Sequence, residues 1–92
     1  MIKSFKHKGL EELFTKGRSK RIGADVRAKL LRQLAALDAA TTPRDMNLPG
    51  WVLHEYTHAE KGKWSVKVNG NMRLIFRWRG TDAEDVDFED PH

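Results

Sequence analysis

The sequence predicts an α+β fold in which two helices cover the apolar face of a sheet that follows them. Two observations carry this. Apolar residues recur at helical spacing within the first 40 residues, as in the stripe Val26, Leu30, Leu34 and Leu37. KWSVKVNGNMRLIFRW, Lys63 to Trp78, instead alternates apolar and polar residues around Asn-Gly, the pattern of a β-hairpin.

The elements follow in order. IKSF, Ile2 to Phe5, alternates and predicts a short first strand. Leu10, Leu13 and Phe14 share one face of a short helix, and Gly17 suits the left-handed position after its end. The loop GRSKRIG carries Arg18, Lys20 and Arg21, as a solvated loop or as the edge of a binding surface. The second helix should run from Ala24 to about Ala40, with Arg27, Lys29, Arg32 and Gln33 turned away from its apolar stripe. Thr42-Pro43-Arg44-Asp45 reads as a capped turn, with Pro at the first position and an acid three residues after the Thr. A strand from Trp51 to Glu55 is expected after Leu-Pro-Gly. Near the end, Val86 and Phe88 alternate with Asp85, Asp87 and Glu89, as in a half-buried strand.

The hairpin register follows from burial. A two-residue Asn69-Gly70 turn would pair Val66 with Arg73 and mix apolar with charged residues on one face. A three-residue loop, Asn69-Gly70-Asn71, pairs Val68 with Met72, Val66 with Leu74 and Trp64 with Phe76. One face is then wholly apolar, and a one-residue slip would expose it, so burial selects the longer loop. The other face collects Lys67, Asn69, Arg73 and Arg77. Lys67 opposite Arg73 is a local repulsion, to be offset by acids of the last strand or by a bound polyanion.

Composition bounds the function. Ninety-two residues suit a single domain, 1–92. A charged fraction of 33% beside a hydrophobic fraction of 39% fits a globular chain rather than a disordered one. The absence of cysteine excludes disulfides, thiolate metal sites and a cysteine nucleophile. No apolar run approaches a membrane span and the first residues lack a secretory apolar block, so a cytoplasmic protein with no membrane partner is the simplest expectation. Residues 1–81 hold all 17 Lys and Arg but only 7 of the 13 acids, a local charge of +10 that suggests a polyanionic partner.

Four segments together resemble one family. MIKSFKHKGLEELFTKG, LAALDAATTPRDMNLPGWVLHE, GKWSVKVNGNMRLIFRW and DVDFEDPH are similar in order and almost without gaps to the HigB toxins of the RelE/ParE superfamily. The resemblance implies a RelE-like α+β fold, with two N-terminal helices packed on one face of a small twisted, mainly antiparallel sheet. It also implies a type II toxin–antitoxin system: a ribosome-dependent endoribonuclease that cleaves mRNA by metal-free acid–base transphosphorylation, with no cofactor. The implied partners are a HigA-type helix-turn-helix antitoxin, the ribosome with its mRNA, and operator DNA only through the antitoxin. Two other activities fit the fold class: a catalytically weakened co-repressor acting with its antitoxin, and a ParE-like gyrase inhibitor.

Metal-free RNA cleavage needs a base for the 2′-hydroxyl proton, an acid for the departing 5′-oxygen and a cation for the growing phosphate charge. The resemblance assigns the cation to Arg73, whose planar fork suits two phosphate oxygens. It assigns the acid–base positions to His54 and His92, with Asp90 beside the latter. His7 lies in the opening motif and is expected to be structural. His54 and His58 are four apart, a zinc spacing only on a helix, and no metal site is expected. The chain ends Asp90-Pro91-His92 where the family commonly ends Asp-Tyr-His, and it has Thr57 where Lys is common. Tyr56 is therefore expected as the base-stacking platform, and Lys63, Lys67, Arg77 and Asn71 as the remaining RNA contacts.

Overall fold

The computed structural model describes residues 1–90. Its helices are α1 (Lys8–Lys16) and α2 (Ala24–Ala39), and its strands are β1 (His54–Glu55), β2 (Lys63–Asn69), β3 (Met72–Arg79) and β4 (Asp82–Glu89). The four strands form one antiparallel sheet in the order β1-β2-β3-β4. The expected α+β architecture is what the chain adopts.

Helix ends follow local chemistry. His7 caps α1, its Nδ1 accepting the Leu10 N–H at 3.2 Å, and its ring packs edge-on to Phe88. Gly17 closes the same helix at φ 77°, a conformation that a Cβ disfavours. Thr42 and Asp45 form a capping box on the short 3₁₀ turn Pro43–Met46.

Leu10 and Leu13 of α1 and Val26, Leu30, Leu34 and Leu37 of α2 are buried against Trp64, Val66, Val68, Leu74 and Phe76 of the hairpin and Val86 of β4. The helices thus occupy the apolar sheet face, as the alternation requires. Removing this apolar surface from water is the main force holding the layers together.

Four local expectations are corrected. Ile2 to Phe5 forms no regular strand: Ile2 and Phe5 make only isolated parallel bridges to Ala83 and Val86 at the outer side of β4. Gln33 does not point to solvent but is fully buried, and its Nε2 donates to the Lys67 carbonyl at 2.9 Å. The strand expected from Trp51 is regular only at His54–Glu55, because Gly50 at φ 82° and Val52 at φ 48° bend the approach. The hairpin keeps the expected pairs Trp64↔Phe76, Val66↔Leu74 and Lys67↔Arg73, but its last pair is Asn69↔Met72. An irregularity at Val68 absorbs the extra residue and leaves a two-residue Gly70-Asn71 turn, with Gly70 at φ 56°.

A second irregularity lies in β4. Ile75 pairs with Asp87 and Arg77 with Glu84, so Asp85 and Val86 together oppose Phe76. Asp85 takes φ 52°, uncommon outside glycine, and Ser4 Oγ accepts its backbone N–H at 2.8 Å. The N-terminal segment thereby clamps the bulge.

Candidate functional site on the open sheet face

The sheet face away from the helices presents Lys63, Ser65 and Lys67 from β2 and Arg73, Ile75 and Arg77 from β3. The register sets Lys63 opposite Arg77, Ser65 opposite Ile75 and Lys67 opposite Arg73. This face is not simply solvated. Ser65 is completely buried and Ile75 nearly so.

Ser65 is the centre of the arrangement. Its Oγ accepts from Arg73 Nη1 at 3.2 Å and from the Tyr56 hydroxyl at 3.4 Å. His54 is its cross-strand partner on β1. The His54 and Tyr56 rings meet edge-to-face with centroids 4.6 Å apart. Lys63 Nζ sits 4.6 Å from the Tyr56 ring centroid and 3.2 Å from Glu60 Oε1. A guanidinium, an imidazole, a phenol and an ammonium therefore gather around one buried hydroxyl.

His54, Tyr56, Lys63 and Arg73, all expected from the sequence, are brought together by the fold. Ser65 was not proposed. Its signal was weak: a small polar residue in a strand reads as solvated until the neighbouring strands are placed over it.

Charge around the group is uneven. Among the described residues, Arg73, Arg77 and Lys67 make no ion pair with a carboxylate, whereas Lys63 pairs with Glu60 and Arg79 with Glu84. Glu89 stands opposite Arg73 in the strand register, so the acids of β4 lie beside the cations without forming a salt bridge to Arg73. A cavity of about 60 Å³ on this face is lined by Lys6, Lys63 and Arg77 on the cationic side and by Asp85, Asp87 and Glu89 on the acidic side. Lys6 was another residue that sequence spacing did not suggest. Its backbone N–H bonds to the Val86 carbonyl at 2.8 Å, which carries it to this edge of the sheet.

The other expected residues are placed less centrally. Lys67 is exposed opposite Arg73, and Asn71 is exposed in the hairpin turn. Asp90 is exposed just past the end of β4, whose last residue, Glu89, pairs with Arg73. His92, expected as an acid–base group, and Pro91 lie outside the described residues. Among the described residues no group of three or more His, Cys, Asp or Glu is placed to hold a metal ion.

Arg73 on β3, whose guanidinium is chemically suited to a phosphate, and His54 on β1 thus stand on either side of β2, two strands apart. Arg73 has five N–H donors in a planar fork, and Ser65 engages only one nitrogen. The remaining donors are free to hold phosphate oxygens bidentately.

Known proteins similar to this chain belong to one family. The family described as RelE-like toxin of type II toxin–antitoxin system HigB matches residues 3–92. The chain is 38% identical to Endoribonuclease HigB of Proteus vulgaris, over the whole length of both chains. It is 34% identical to Toxin HigB-1 of Vibrio cholerae serotype O1, over 100% of this chain and 98% of that one.

Proposed function

Because this chain belongs to the RelE-like HigB toxins of type II toxin–antitoxin systems, we propose that its open sheet face is the active site of an endoribonuclease that cuts mRNA on the ribosome. The cut is a transphosphorylation. A base removes the proton from a ribose 2′-hydroxyl, whose oxygen bonds to the adjacent phosphorus. The bond from phosphorus to the 5′-oxygen breaks, and an acid protonates that oxygen. A 2′,3′-cyclic phosphate and a 5′-hydroxyl result, with no metal required.

Arg73 stabilises the charge that grows on the phosphate oxygens. Its anchor on Ser65 orients the guanidinium before substrate arrives, so little reorganisation is needed as charge develops. His54 and His92 divide the acid and base steps, and Asp90 orients His92. Tyr56 offers a ring on which a base can stack, while Lys63, Lys67, Arg77 and Asn71 hold the flanking backbone.

A type II toxin has an antitoxin partner. Here that partner is a HigA-type helix-turn-helix protein, operator DNA being reached only through it. The toxin acts in the cytoplasm, where ribosomes are. Among the described residues no helix is long and apolar enough to cross a membrane.

One observation carries the reading. Arg73, half-buried on the open face, is hydrogen-bonded to Ser65 and has no carboxylate ion-pair partner among the described residues, and Ser65 pairs with His54. The test is Arg73→Ala, assayed by growth arrest on induced expression and by cleavage of ribosome-bound mRNA. Cleavage should fall by about 100-fold or more. Parental cleavage by that variant would remove Arg73 from the mechanism.

A further inference from the structure

A second concave surface shares no residue with the open sheet face. It is a groove of about 710 Å³ where the end of α1, the following loop and the first turns of α2 meet. Lys16, Arg18, Lys20, Arg21 and Arg27 line it, with Glu12 as its single acid. We propose that this groove is a second RNA-binding surface, one that grips the phosphate backbone of folded, double-helical RNA rather than the strand being cut.

The groove is built rather than merely charged. Ser19, at the centre of the loop, is about nine-tenths buried. Its Oγ donates to Glu12 Oε1 at 2.7 Å and accepts the Arg21 N–H at 3.1 Å. Ile22 anchors the loop in the core. Gly9 admits it, because a Cβ there would stand 2.8 Å from Arg21 Cβ. The loop is therefore held against α1 at the point where it presents most cations, although clustered like charges favour spreading apart.

Arg21 is paired with Glu12 at 3.6 Å. Among the described residues, Lys16, Arg18, Lys20 and Arg27 have no carboxylate ion-pair partner, and all four are exposed. Such a cluster, preorganised and unpaired, matches a polymer of phosphates, and its arginine forks suit two oxygens of one phosphate.

An acidic protein segment fits less well. Stable protein interfaces centre on apolar or aromatic anchors, and the groove walls offer none. The exposed large apolar residues, Met1, Leu48 and Val52, lie in other segments. A-form RNA is recognised largely by shape and backbone contacts, which a charged groove without a stacking aromatic can make.

The proposal takes from the nuclease reading only the choice of RNA as the polymer, and its test involves no cleavage. Intact protein is titrated with a blunt RNA duplex between about 50 and 200 mM salt, beside the variant Arg18→Gln/Lys20→Gln/Arg27→Gln. The variant should bind at least tenfold more weakly at the lower salt. Its slope of log affinity against log salt should be shallower by about 2 to 3, since each lost phosphate contact removes 0.7 to 0.9.

Amide shift mapping on the unaltered protein gives a second readout that needs no variant. Duplex-induced shifts should cluster in residues 16–27. Shifts confined to the open face, an unchanged salt slope in the variant, or equal displacement by polyglutamate of matched charge would each overturn the assignment. Loss of toxicity in Arg73→Ala with no duplex binding at the groove would leave the nuclease standing and this surface refuted.

Discussion

Ser65→Ala is the substitution that most sharply tests how the site is held. The hydroxyl is fully buried and accepts from Arg73 Nη1 at 3.2 Å and from Tyr56 at 3.4 Å. A hydrogen bond to a charged group contributes about 1.5 to 3 kcal/mol net. The 3.2 Å separation is at the long end of the range and the guanidinium is only half-buried, so the lower value applies. If that energy is expressed as correct aim of the guanidinium in the transition state, cleavage of ribosome-bound mRNA should slow about tenfold. Stability should change by less than about 1 kcal/mol, because Arg73 and Tyr56 can both turn to water. The decisive comparison is a double-mutant cycle measured as single-turnover cleavage. In the Arg73→Ala background Ser65→Ala should cost almost nothing, since the group it positions is gone. An equal tenfold loss in both backgrounds, or no loss in the parent, would refute the positioning role.

Three further outcomes follow from the packing. Gln33→Leu should destabilise by about 1 to 3 kcal/mol in urea unfolding, because it leaves the Lys67 carbonyl without the donor it has at 2.9 Å. Phe76→Ala should cost about 3 to 5 kcal/mol by the same measurement, since this ring is the largest fully buried side chain. The Asp45 carboxyl is held below its ordinary range by hydrogen bonds from the backbone N–H groups of Thr41 and Thr42. A lowered folded pKa means that its stabilisation is complete above the usual Asp value and lost as pH falls through the folded one. Asp45→Asn should therefore melt below the parent at neutral pH, and the gap should close as pH is taken well below the ordinary Asp value in a melting series.

The site was partly legible because its residues carry their chemistry in their type. Arg73, His54, Tyr56 and Lys63 could be named since few groups hold a phosphate, move a proton or stack on a base. Ser65 and Lys6 escaped because neither is unusual alone. Ser65 matters through two neighbours 8 and 9 residues away, Arg73 on β3 and Tyr56 just past β1, and Lys6 through a backbone bond to Val86, 80 residues on. Gln33 was misplaced for the same reason. A polar side chain at a helix position reads as exposed unless a carbonyl waits for it. Strands commit N–H and C=O of one residue to the same side, so because the bend at Val52 makes β1 begin late, Lys67 needs other partners there. Trp51 O and Gln33 Nε2 supply them.

What the amino-acid order alone determined was everything periodic: the two helices, the hairpin and which of its faces is apolar. A one-residue slip would expose that whole apolar set, which is why the pairs Trp64↔Phe76 and Val66↔Leu74 could be read in advance. Tertiary structure decided the departures from periodicity. The irregularity at Val68, the bulge at Asp85 clamped by Ser4, and the burial of Ser65 beneath Arg73 and Tyr56 each depend on groups distant in the chain. Local propensity carries no information about a hydrogen-bond partner that only folding brings near, and in this protein such partners build the site.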